Sequence, residues 1–241
     1  MAEGIVTHIE RVPADAGLAA EQHRDYVAAL AEAGWSVREV AGAEHLPDSA
    51  FVEDAVVVFD DLAVLTRPGA VERREEIDGV EAMVTALGLE VARIEAPGTL
   101  DGGDVLQVGE TVYVGCGGRT NGEGIRQLRV LASTRQRTVV PVSLHDVLHL
   151  KSAVTALPDG TLVCADPLLL DVAPLPTLLR VPEEGGSHVV PLGGDTLLMA
   201  ASAPRSAEAF GDLGFDVVVV DISEFEKLEG SVTCLSVLIG A

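Results

Sequence analysis

The sequence has few cysteines and no long apolar run. Its cysteines, at positions 116, 164 and 234, form no CxxC pair, which is unlike a disulfide or zinc framework and fits a reducing compartment. No uninterrupted apolar stretch approaches the roughly 20 residues of a membrane helix. The first eight residues show no basic start followed by an apolar run. These absences predict a cytoplasmic protein without membrane segments.

Positive charge is also scarce, because 16 Lys and Arg residues stand against 38 Asp and Glu residues, a formal net charge of -22. A surface this acidic repels phosphate backbones and anionic lipids, so nucleic acid and membrane surfaces are not expected partners. A small cationic partner is favoured instead. Hydrophobic residues still make up 48% of the chain, which argues against disorder. A chain of this size can fold as one domain, here residues 1–241.

A pattern of two short apolar strands joined by a tight turn occurs four times and is typical of a β-hairpin. The hairpins occupy residues 51–69, 100–115, 149–164 and 187–199. Helical spacing and then a further apolar strand follow the first, second and fourth hairpins, with helices at about residues 77–87, 123–131 and 206–213. Three prolines, at positions 174, 176 and 182, obscure the helix of the third copy.

The last segment, residues 231–239, reads as a single strand, so its unit is incomplete. The N-terminal region supplies the missing parts: a strand at residues 5–9, a helix at about 19–33 and a strand at 35–40. We therefore predict an α/β fold, a five-bladed pseudo-symmetric α/β-propeller whose ring is closed by the N- and C-terminal segments. Radial repetition limits exposed sheet edges, and it brings the first strands of all units to one axis, where a site is expected.

The starts of these first strands carry an unusual set of side chains. A thiol, an imidazole and several carboxylates from distant parts of the chain are the groups needed for covalent catalysis at an electrophilic carbon. Blander interpretations exist, since a cysteine in an apolar strand is usually inert and DGGD is also a polar turn. The spacing of His145 and His149 suits a metal, but no further ligands are evident. The set comprises Glu53, Asp54, Asp101, Asp104, His149 and Cys234.

Two arginines, Arg67 and Arg119, occupy the same place, just after the second strand of the first and second units. Either one alone is an ordinary surface charge. Their matched position favours a shared role. The other two cysteines, Cys116 and Cys164, lie on second strands, and we expect both to face away from the axis and to be inert.

Together these motifs resemble the dimethylarginine dimethylaminohydrolases, a family of guanidino-modifying enzymes with the five-bladed pentein fold. No single block is specific, but their joint order over nearly the whole chain is. The blocks are LAAEQHRDY (18–26), LPDSAFVED (46–54), TRPGA (66–70), PGTLDGGD (97–104), RTN (119–121), VLHLKS (147–152) and GSVTCLS (230–236).

The resemblance implies a cysteine hydrolase that converts N-omega-methylated arginines to citrulline and methylamine or dimethylamine through a covalent S-alkylthiouronium. It implies no metal and no organic cofactor. The partner is then a small cationic guanidino amino acid, and a homodimer is left open. The implied roles are Cys234 as nucleophile, His149 as general acid and base, Asp101 as the carboxylate that orients His149, Asp48 and Asp54 with Glu53 beside them as guanidinium ligands, Arg67 and Arg119 as α-carboxylate ligands, and Leu18 as part of a flexible lid.

Alternatives remain at this point. An arginine deiminase-like enzyme uses the same nucleophile and releases ammonia, but such enzymes are usually longer and carry an additional helical domain. A non-catalytic propeller, like the ribosome anti-association factor with the same architecture, would be favoured by loss of Cys234 or His149, and both are present. A papain-like protease has its cysteine near the mature N-terminus. Residues 185–191 depart from the family pattern, so the preference among guanidines stays open.

Overall fold

The computed structural model describes residues 4–43, 45–176 and 178–240. Among these residues lie four three-stranded sheets, each built from an antiparallel hairpin whose second strand also pairs in parallel with a third strand. The strands are β1 (Val56–Phe59), β2 (Leu62–Leu65), β3 (Glu90–Arg93), β4 (Val105–Val108), β5 (Thr111–Cys116), β6 (Thr138–Ser143), β7 (Thr155–Ala156), β8 (Leu162–Cys164), β9 (Leu178–Arg180), β10 (Val190–Gly193), β11 (Thr196–Ala200) and β12 (Asp216–Val220).

Helices connect the second and third strands of the first, second and fourth sheets, as the spacing predicts. In the third sheet this connection contains only a short 3-10 turn, Pro167–Leu169, among the described residues, because prolines lack the N–H that a helix needs. The α-helices are α1 (Ala16–Glu32), α2 (Ile77–Ala86), α3 (Gly122–Ser133), α4 (Leu150–Ala153), α5 (Pro204–Asp212) and α6 (Ser223–Glu226). Within the described part of the chain, no helix is long and apolar enough to cross a membrane.

The first hairpin shows how the sequence forms a unit. Both β1 and β2 are apolar and buried at every position, which is typical of strands covered on both faces. The tight turn between them is closed by the pairing of Phe59 with Leu62. Asp60 adopts a left-handed backbone conformation (φ 53°), which aspartate tolerates in turns better than most residues. The two turn residues, Asp60 and Asp61, therefore fix the register of the hairpin.

The ring is closed by the N-terminal helix. The buried face of α1 packs against the fourth sheet and the C-terminal segment in one apolar cluster that includes Tyr26, Leu198 and Val232. The hydroxyl of Tyr26 donates to the carbonyl oxygen of Val232 at 2.9 Å. Since these residues are about 200 positions apart in the sequence, the two ends of the chain are joined by packing and by a hydrogen bond.

The fifth unit differs from the prediction, because the strands expected at residues 5–9, 35–40 and 231–239 are not formed among the described residues. In residues 5–9 the backbone N–H groups find other partners. The N–H of Ile5 donates to the side chain of Asp48, and those of Thr7, His8 and Ile9 donate to the carboxylate of Glu229. Donors already occupied by side chains cannot pair with a neighbouring strand.

The starts of the units also differ from the prediction, since they are short helical turns rather than strands. Each turn leads into the first strand of its unit or, in the fifth unit, into the C-terminal segment. Asp101 and His149 immediately precede two of these turns, and Glu53, Asp54 and Cys234 lie within two others. The turns are Val52–Ala55, Gly102–Asp104, Leu150–Ala153, Glu184–Ser187 and Val232–Leu235.

Candidate active site

The unit starts approach one another so closely that two positions leave no room for a side chain. A Cβ atom on Gly102 would lie 1.9 Å from the carbonyl oxygen of Glu53, and one on Gly103 would lie 2.7 Å from both Nδ1 of His149 and Oδ1 of Asp54. The N–H of Gly103 also donates to Oδ1 of Asp54 at 2.9 Å. The DGGD run is therefore required by the convergence of the units and is more than a polar turn.

His149 is buried among carboxylates. Its Nε2 is hydrogen-bonded to Oδ2 of Asp101 at 3.0 Å, and its Nδ1 lies 3.8 Å from Oδ1 of Asp54. Burial alone would lower the pKa of His149, but the charge of Asp54, the hydrogen bond to Asp101 and the charge of Asp104 outweigh it and raise this pKa to about 9. The imidazole is therefore protonated at neutral pH.

Asp101 is held on both sides so that it can fix the orientation of His149. Its Oδ1 accepts the N–H of Gly69 at 2.8 Å, and its own N–H donates to the hydroxyl of Thr120 at 3.1 Å. Nη1 of Arg119 lies 3.6 Å from Oδ2. This carboxylate is completely buried and cannot rotate away from the imidazole without breaking these contacts.

Asp104, three residues after Asp101 in the same DGGD run, supports the segment that carries His149. Its Oδ1 accepts the N–H of Leu150 at 2.9 Å, which anchors the turn that follows His149. Burial raises the pKa of Asp104 to about 6, against the opposing effect of the His149 charge. Asp104 therefore holds the turn after His149 in place, and it does not line the cavity that His149 shares with Cys234.

Cys234 is partly buried and has weak hydrogen-bond donors at its sulfur. The N–H and the hydroxyl of Ser231 both lie 3.4 Å from Sγ. Burial, followed by the charges of Glu53 and Asp54, raises the pKa of the Cys234 thiol to about 12, and the Ser231 contacts oppose this only in part. The group is therefore a thiol at neutral pH in the unliganded protein.

Arg73, which no sequence motif singles out, is almost completely buried beside this site. Nη1 of Arg73 donates to Oδ2 of Asp54, and its Nη2 lies 2.8 Å from Oε2 of Glu76. Burial disfavours the charge of Asp54, yet His149 and Arg73 together hold the pKa of that carboxyl below its usual range. Arg73 lies in the charged run ERREE, which reads as a solvated surface turn, so its sequence carries no signal of burial.

A small cavity of about 20 Å³ joins these groups. This volume holds about one water molecule, whereas small-molecule sites typically measure ~300–1,000 Å³. Asp48 contributes a buried Oδ1 that has no hydrogen-bond partner among the described residues. The cavity, which we call the substrate cavity, is lined by Ile5, Asp48, Phe51, Asp54, Arg73, Arg119, Leu148, His149, Leu228, Glu229, Gly230 and Cys234.

A second cavity of about 420 Å³ lies among the first strands and is called the axial cavity. Its walls are mostly valine, leucine and alanine side chains from β1, β4 and β7. Glu53 and Lys151 line it and form an ion pair at 2.6 Å. Burial raises the pKa of Glu53 to about 7, against the effect of Lys151. Glu53 thus faces the axial cavity, while its neighbour Asp54 faces the substrate cavity.

Besides Glu53, two other predicted substrate-binding residues lie away from the substrate cavity. Arg67 is half-buried, does not line this cavity and donates from Nη1 to the carbonyl oxygen of Gly98 at 3.0 Å. Leu18 is not in a loop: it lies in the first turn of α1, where Asp15 accepts its N–H at 3.1 Å, and its side chain is exposed. Arg119, by contrast, lines the cavity as expected from its position.

A metal site could use Asp54, Asp101 and His149, whose ligand atoms lie within 4.8 Å of one another. Each of these groups already has protein partners, and the cationic side chains of Arg73 and Arg119 lie against the two carboxylates. Two positive charges beside these carboxylates oppose the binding of a further cation. The arrangement suits an imidazolium held by acids better than a metal centre.

The comparisons with known proteins agree with this geometry. The chain is 58% identical over 237 residues to the N(G),N(G)-dimethylarginine dimethylaminohydrolase of Streptomyces coelicolor, covering 98% of this chain and 92% of that protein. The chain belongs to the dimethylarginine dimethylaminohydrolase family. No protein-family model matches it.

Solved structures of this family share the fold. A dimethylarginine dimethylaminohydrolase in an adduct with S-methyl-L-thiocitrulline has a TM-score of 0.90 at 33% identity, covering 97% of this chain and 93% of that one. The Pseudomonas aeruginosa enzyme in complex with citrulline has a TM-score of 0.89 at 33% identity, with 97% and 92% covered. The predicted family resemblance and five-bladed α/β fold are thus confirmed.

Proposed function

We propose that the chain hydrolyses N-omega-methylated arginine to citrulline and dimethylamine or methylamine. The observation that carries the proposal is the meeting of a thiol, Cys234, an acid-held imidazolium, His149, and buried carboxylates at one closed cavity. Relatives named for this activity cover nearly the whole chain, and a neighbour structure contains citrulline. The three free cysteines favour work in a reducing compartment such as the cytoplasm.

Substrate binding follows from the charges that line the cavity. A guanidinium is planar and donates several N–H groups, so it suits the carboxylates of Asp48 and Asp54. Oδ1 of Asp48 is buried and unpartnered, which makes it the acceptor with the most to gain. Arg119 lines the same cavity and supplies a cation for the α-carboxylate at the other end of the substrate. The position of Arg67 gives no support for its expected share in that contact.

Activation of the nucleophile depends on the substrate itself. Free Cys234 is a thiol, because burial and two carboxylates raise its pKa to about 12. A bound guanidinium places positive charge beside the sulfur and occupies the carboxylates that disfavour the thiolate. The thiol proton then leaves to solvent, and the thiolate forms only when there is a carbon to attack. This order protects the cysteine from oxidation between turnovers.

The first chemical step transfers the amidine carbon to sulfur. Sγ of Cys234 attacks the central guanidinium carbon and gives a neutral tetrahedral adduct. The imidazolium of His149, with Nε2 held by Asp101, donates the Nδ1 proton to the methylated nitrogen. The C–N bond breaks, the amine leaves, and a cationic S-alkylthiouronium remains on Cys234.

The second step is hydrolysis by the same histidine. His149, now neutral, takes a proton from water, and the resulting hydroxide attacks the thiouronium carbon. The C–S bond breaks, Cys234 leaves as thiolate, and the hydroxyl proton is released, which gives citrulline. The released amine takes up a proton in solution. Because Asp101 fixes the ring throughout, one nitrogen serves both as acid and as base.

The test is a parallel assay of the purified chain with asymmetric dimethylarginine, monomethylarginine and arginine, in which citrulline and each amine are measured. We expect citrulline and dimethylamine from the first substrate, and Cys234→Ala to lower turnover by about 10⁴-fold or more. Cys116→Ala is the matched control, because Cys116 is exposed at the end of β5, and it should keep full activity.

The outcomes separate the alternatives. Faster turnover of arginine with release of ammonia would favour the deiminase-like enzyme. Binding of substrate without turnover by the unaltered chain would favour a non-catalytic propeller. Activity retained in Cys234→Ala would overturn the covalent mechanism.

A further inference from the structure

The segment of residues 4–11, which we call the strap, lies across the substrate cavity. Ile5 lines the cavity, and its N–H donates to Oδ2 of Asp48 at 3.0 Å. Asp48 is one of the two carboxylates proposed to bind the guanidinium. Arg119, the proposed ligand of the α-carboxylate, donates from Nη2 to the hydroxyl of Thr7 at 3.4 Å. The strap therefore contacts the groups assigned to both ends of the substrate.

One side chain, that of Glu229, holds the strap in this place. Its Oε2 accepts the N–H of Thr7 at 2.8 Å, and its Oε1 accepts the N–H of Ile9 at 3.0 Å and also that of His8. Three successive backbone donors that face one carboxylate form a concave anion site, and charge-assisted hydrogen bonds of this kind are the strong ones. Glu229 is more than 200 positions away from the strap in the sequence.

The backbone conformation of Glu229 indicates that its contact with the strap is a specific one. Its φ is 61°, a left-handed conformation that residues other than glycine, asparagine and aspartate seldom adopt. Glycine would fit this conformation more easily but has no carboxylate to offer. Glu229 itself lines the substrate cavity and lies five residues before Cys234 in the sequence, so the clamp and the nucleophile belong to one short segment.

The strap that Glu229 holds limits the volume of the substrate cavity. At about 20 Å³ the substrate cavity cannot hold an amino acid while the strap is in place. No such barrier is expected from Leu18, because that residue is part of the regular helix α1. The strap is the segment that covers the site without belonging to a helix or sheet, and Glu229 is the group that sets how firmly it is held.

We propose that Glu229 is a positioning residue that clamps the strap as the outer wall of the substrate cavity and thereby controls access to Cys234. The inference rests on the proposed function for its substrate. The clamped strap excludes water and bulky molecules from the sulfur, and it must open to admit the substrate and to release citrulline. While the substrate is bound the strap stays displaced, because the cavity in its closed form has no room for an amino acid.

The test measures access to the sulfur directly and does not require turnover. In a Cys116→Ser background, Cys234 is treated with a bulky aromatic disulfide and, separately, with iodoacetamide. The rate with the disulfide is divided by the rate with iodoacetamide, and this ratio cancels any change in the pKa of the thiol. We expect Glu229→Gln to raise this ratio about tenfold. Glu226→Gln is the matched control, since Glu226 lies in the same segment but hydrogen-bonds Ser202 instead of the strap, and it should leave the ratio unchanged.

A second variant tests the clamp from the other side. His8→Pro removes one of the three N–H donors at an exposed position outside the core, so it leaves the fold intact even where Glu229→Gln does not. We expect it to raise the ratio as well, and the double variant to show no further increase, because both changes release the same clamp. Hydrogen exchange at residues 7–9 should quicken in each variant.

Steady-state kinetics separate positioning from a merely structural role. Glu229→Gln should lower KM for dimethylarginine about tenfold and change kcat by less than threefold, because a loosened strap competes less with the substrate for Asp48 while the catalytic groups are untouched. A ratio of reagent rates within twofold of the unaltered chain in both variants would overturn the clamp, whatever the substrate proves to be. Failure of the chain to hydrolyse methylated arginines would contradict the proposed function and leave the accessibility result standing.

Discussion

Neighbouring residues of the chain line the substrate cavity and the axial cavity. Glu53 faces the axial cavity and Asp54 the substrate cavity, and the same alternation separates Thr233 from Cys234. The axial cavity has about twenty times the volume of the other, yet the imidazole of His149 and the thiol of Cys234, whose pKa values are both raised, border the smaller one.

The larger cavity of this molecule is therefore not the one that holds the reactive groups. The axial cavity follows from the architecture, because first strands that converge on an axis cannot fill it with short valine and alanine side chains. The substrate cavity is small because the strap covers it. Its contents are specific, since a buried acid, an imidazolium and a thiol would be costly to bury together without a function.

The first prediction concerns the ionisable groups at the substrate cavity. Asp101→Asn should lower kcat by about 10³-fold, because the imidazole loses the partner that fixes its orientation. It should also move the basic limb of the pH–rate profile. With Asp101 present the pKa of His149 is about 9, so activity falls as pH rises through that value and the general acid loses its proton. Removal of an anion lowers this pKa, and the limb moves to lower pH.

Asp104→Asn provides the matched control for that experiment. Asp104 is as buried as Asp101, but it bonds the backbone of Leu150 and not the imidazole ring. We expect a smaller loss of kcat and a smaller movement of the same limb. An equal loss in both variants, or a basic limb that stays in place for Asp101→Asn, would show that His149 is not the general acid.

The sequence allowed the site to be predicted where residue types were unusual for their position. A cysteine, a histidine and an aspartate at the starts of three units stand out against apolar strands, and the repeat itself brings them to one axis. The four hairpins were predictable for the same reason, since their apolar runs and turn residues are local signals. In the structure Asp101 is hydrogen-bonded to His149, and His149 and Cys234 line the same cavity.

The features that could not be predicted from the sequence depend on contacts between residues far apart in the chain. The strands expected near residues 5–9 are absent because their N–H groups bind Glu229, and nothing local in either segment announces that contact. Arg73 is buried and forms ion pairs with Asp54 and Glu76, although the residues next to it in the sequence are charged and suggest an exposed turn. Lys151 carried a weak signal, because a lone lysine in an apolar unit start needs a counter-ion, which is Glu53.

A second prediction compares the two arginines that the sequence made equivalent. Arg119→Ala should raise KM for dimethylarginine about 100-fold, the size expected for a lost charged hydrogen bond of ~2–3 kcal/mol. Methylated guanidines without an α-carboxylate should lose much less. Arg67→Ala is the matched control and should have a small effect on both, because Arg67 binds a backbone carbonyl outside the cavity. Equal losses for both substrates would remove Arg119 from carboxylate binding.

The smallest expected effect lies in the axial cavity and completes the comparison. Val108→Phe adds an aromatic ring to its wall at a half-buried position on β4, where the side chain has room to turn towards the open space. Because neither the substrate nor the leaving amine passes that way in the proposed mechanism, kcat/KM should change by less than about twofold. Thermal unfolding followed by circular dichroism checks that the fold is retained. A loss as large as that of Arg119→Ala in a stably folded variant would show that the axial cavity takes part in catalysis, and that the wall formed by Glu53 and Lys151 opens during turnover.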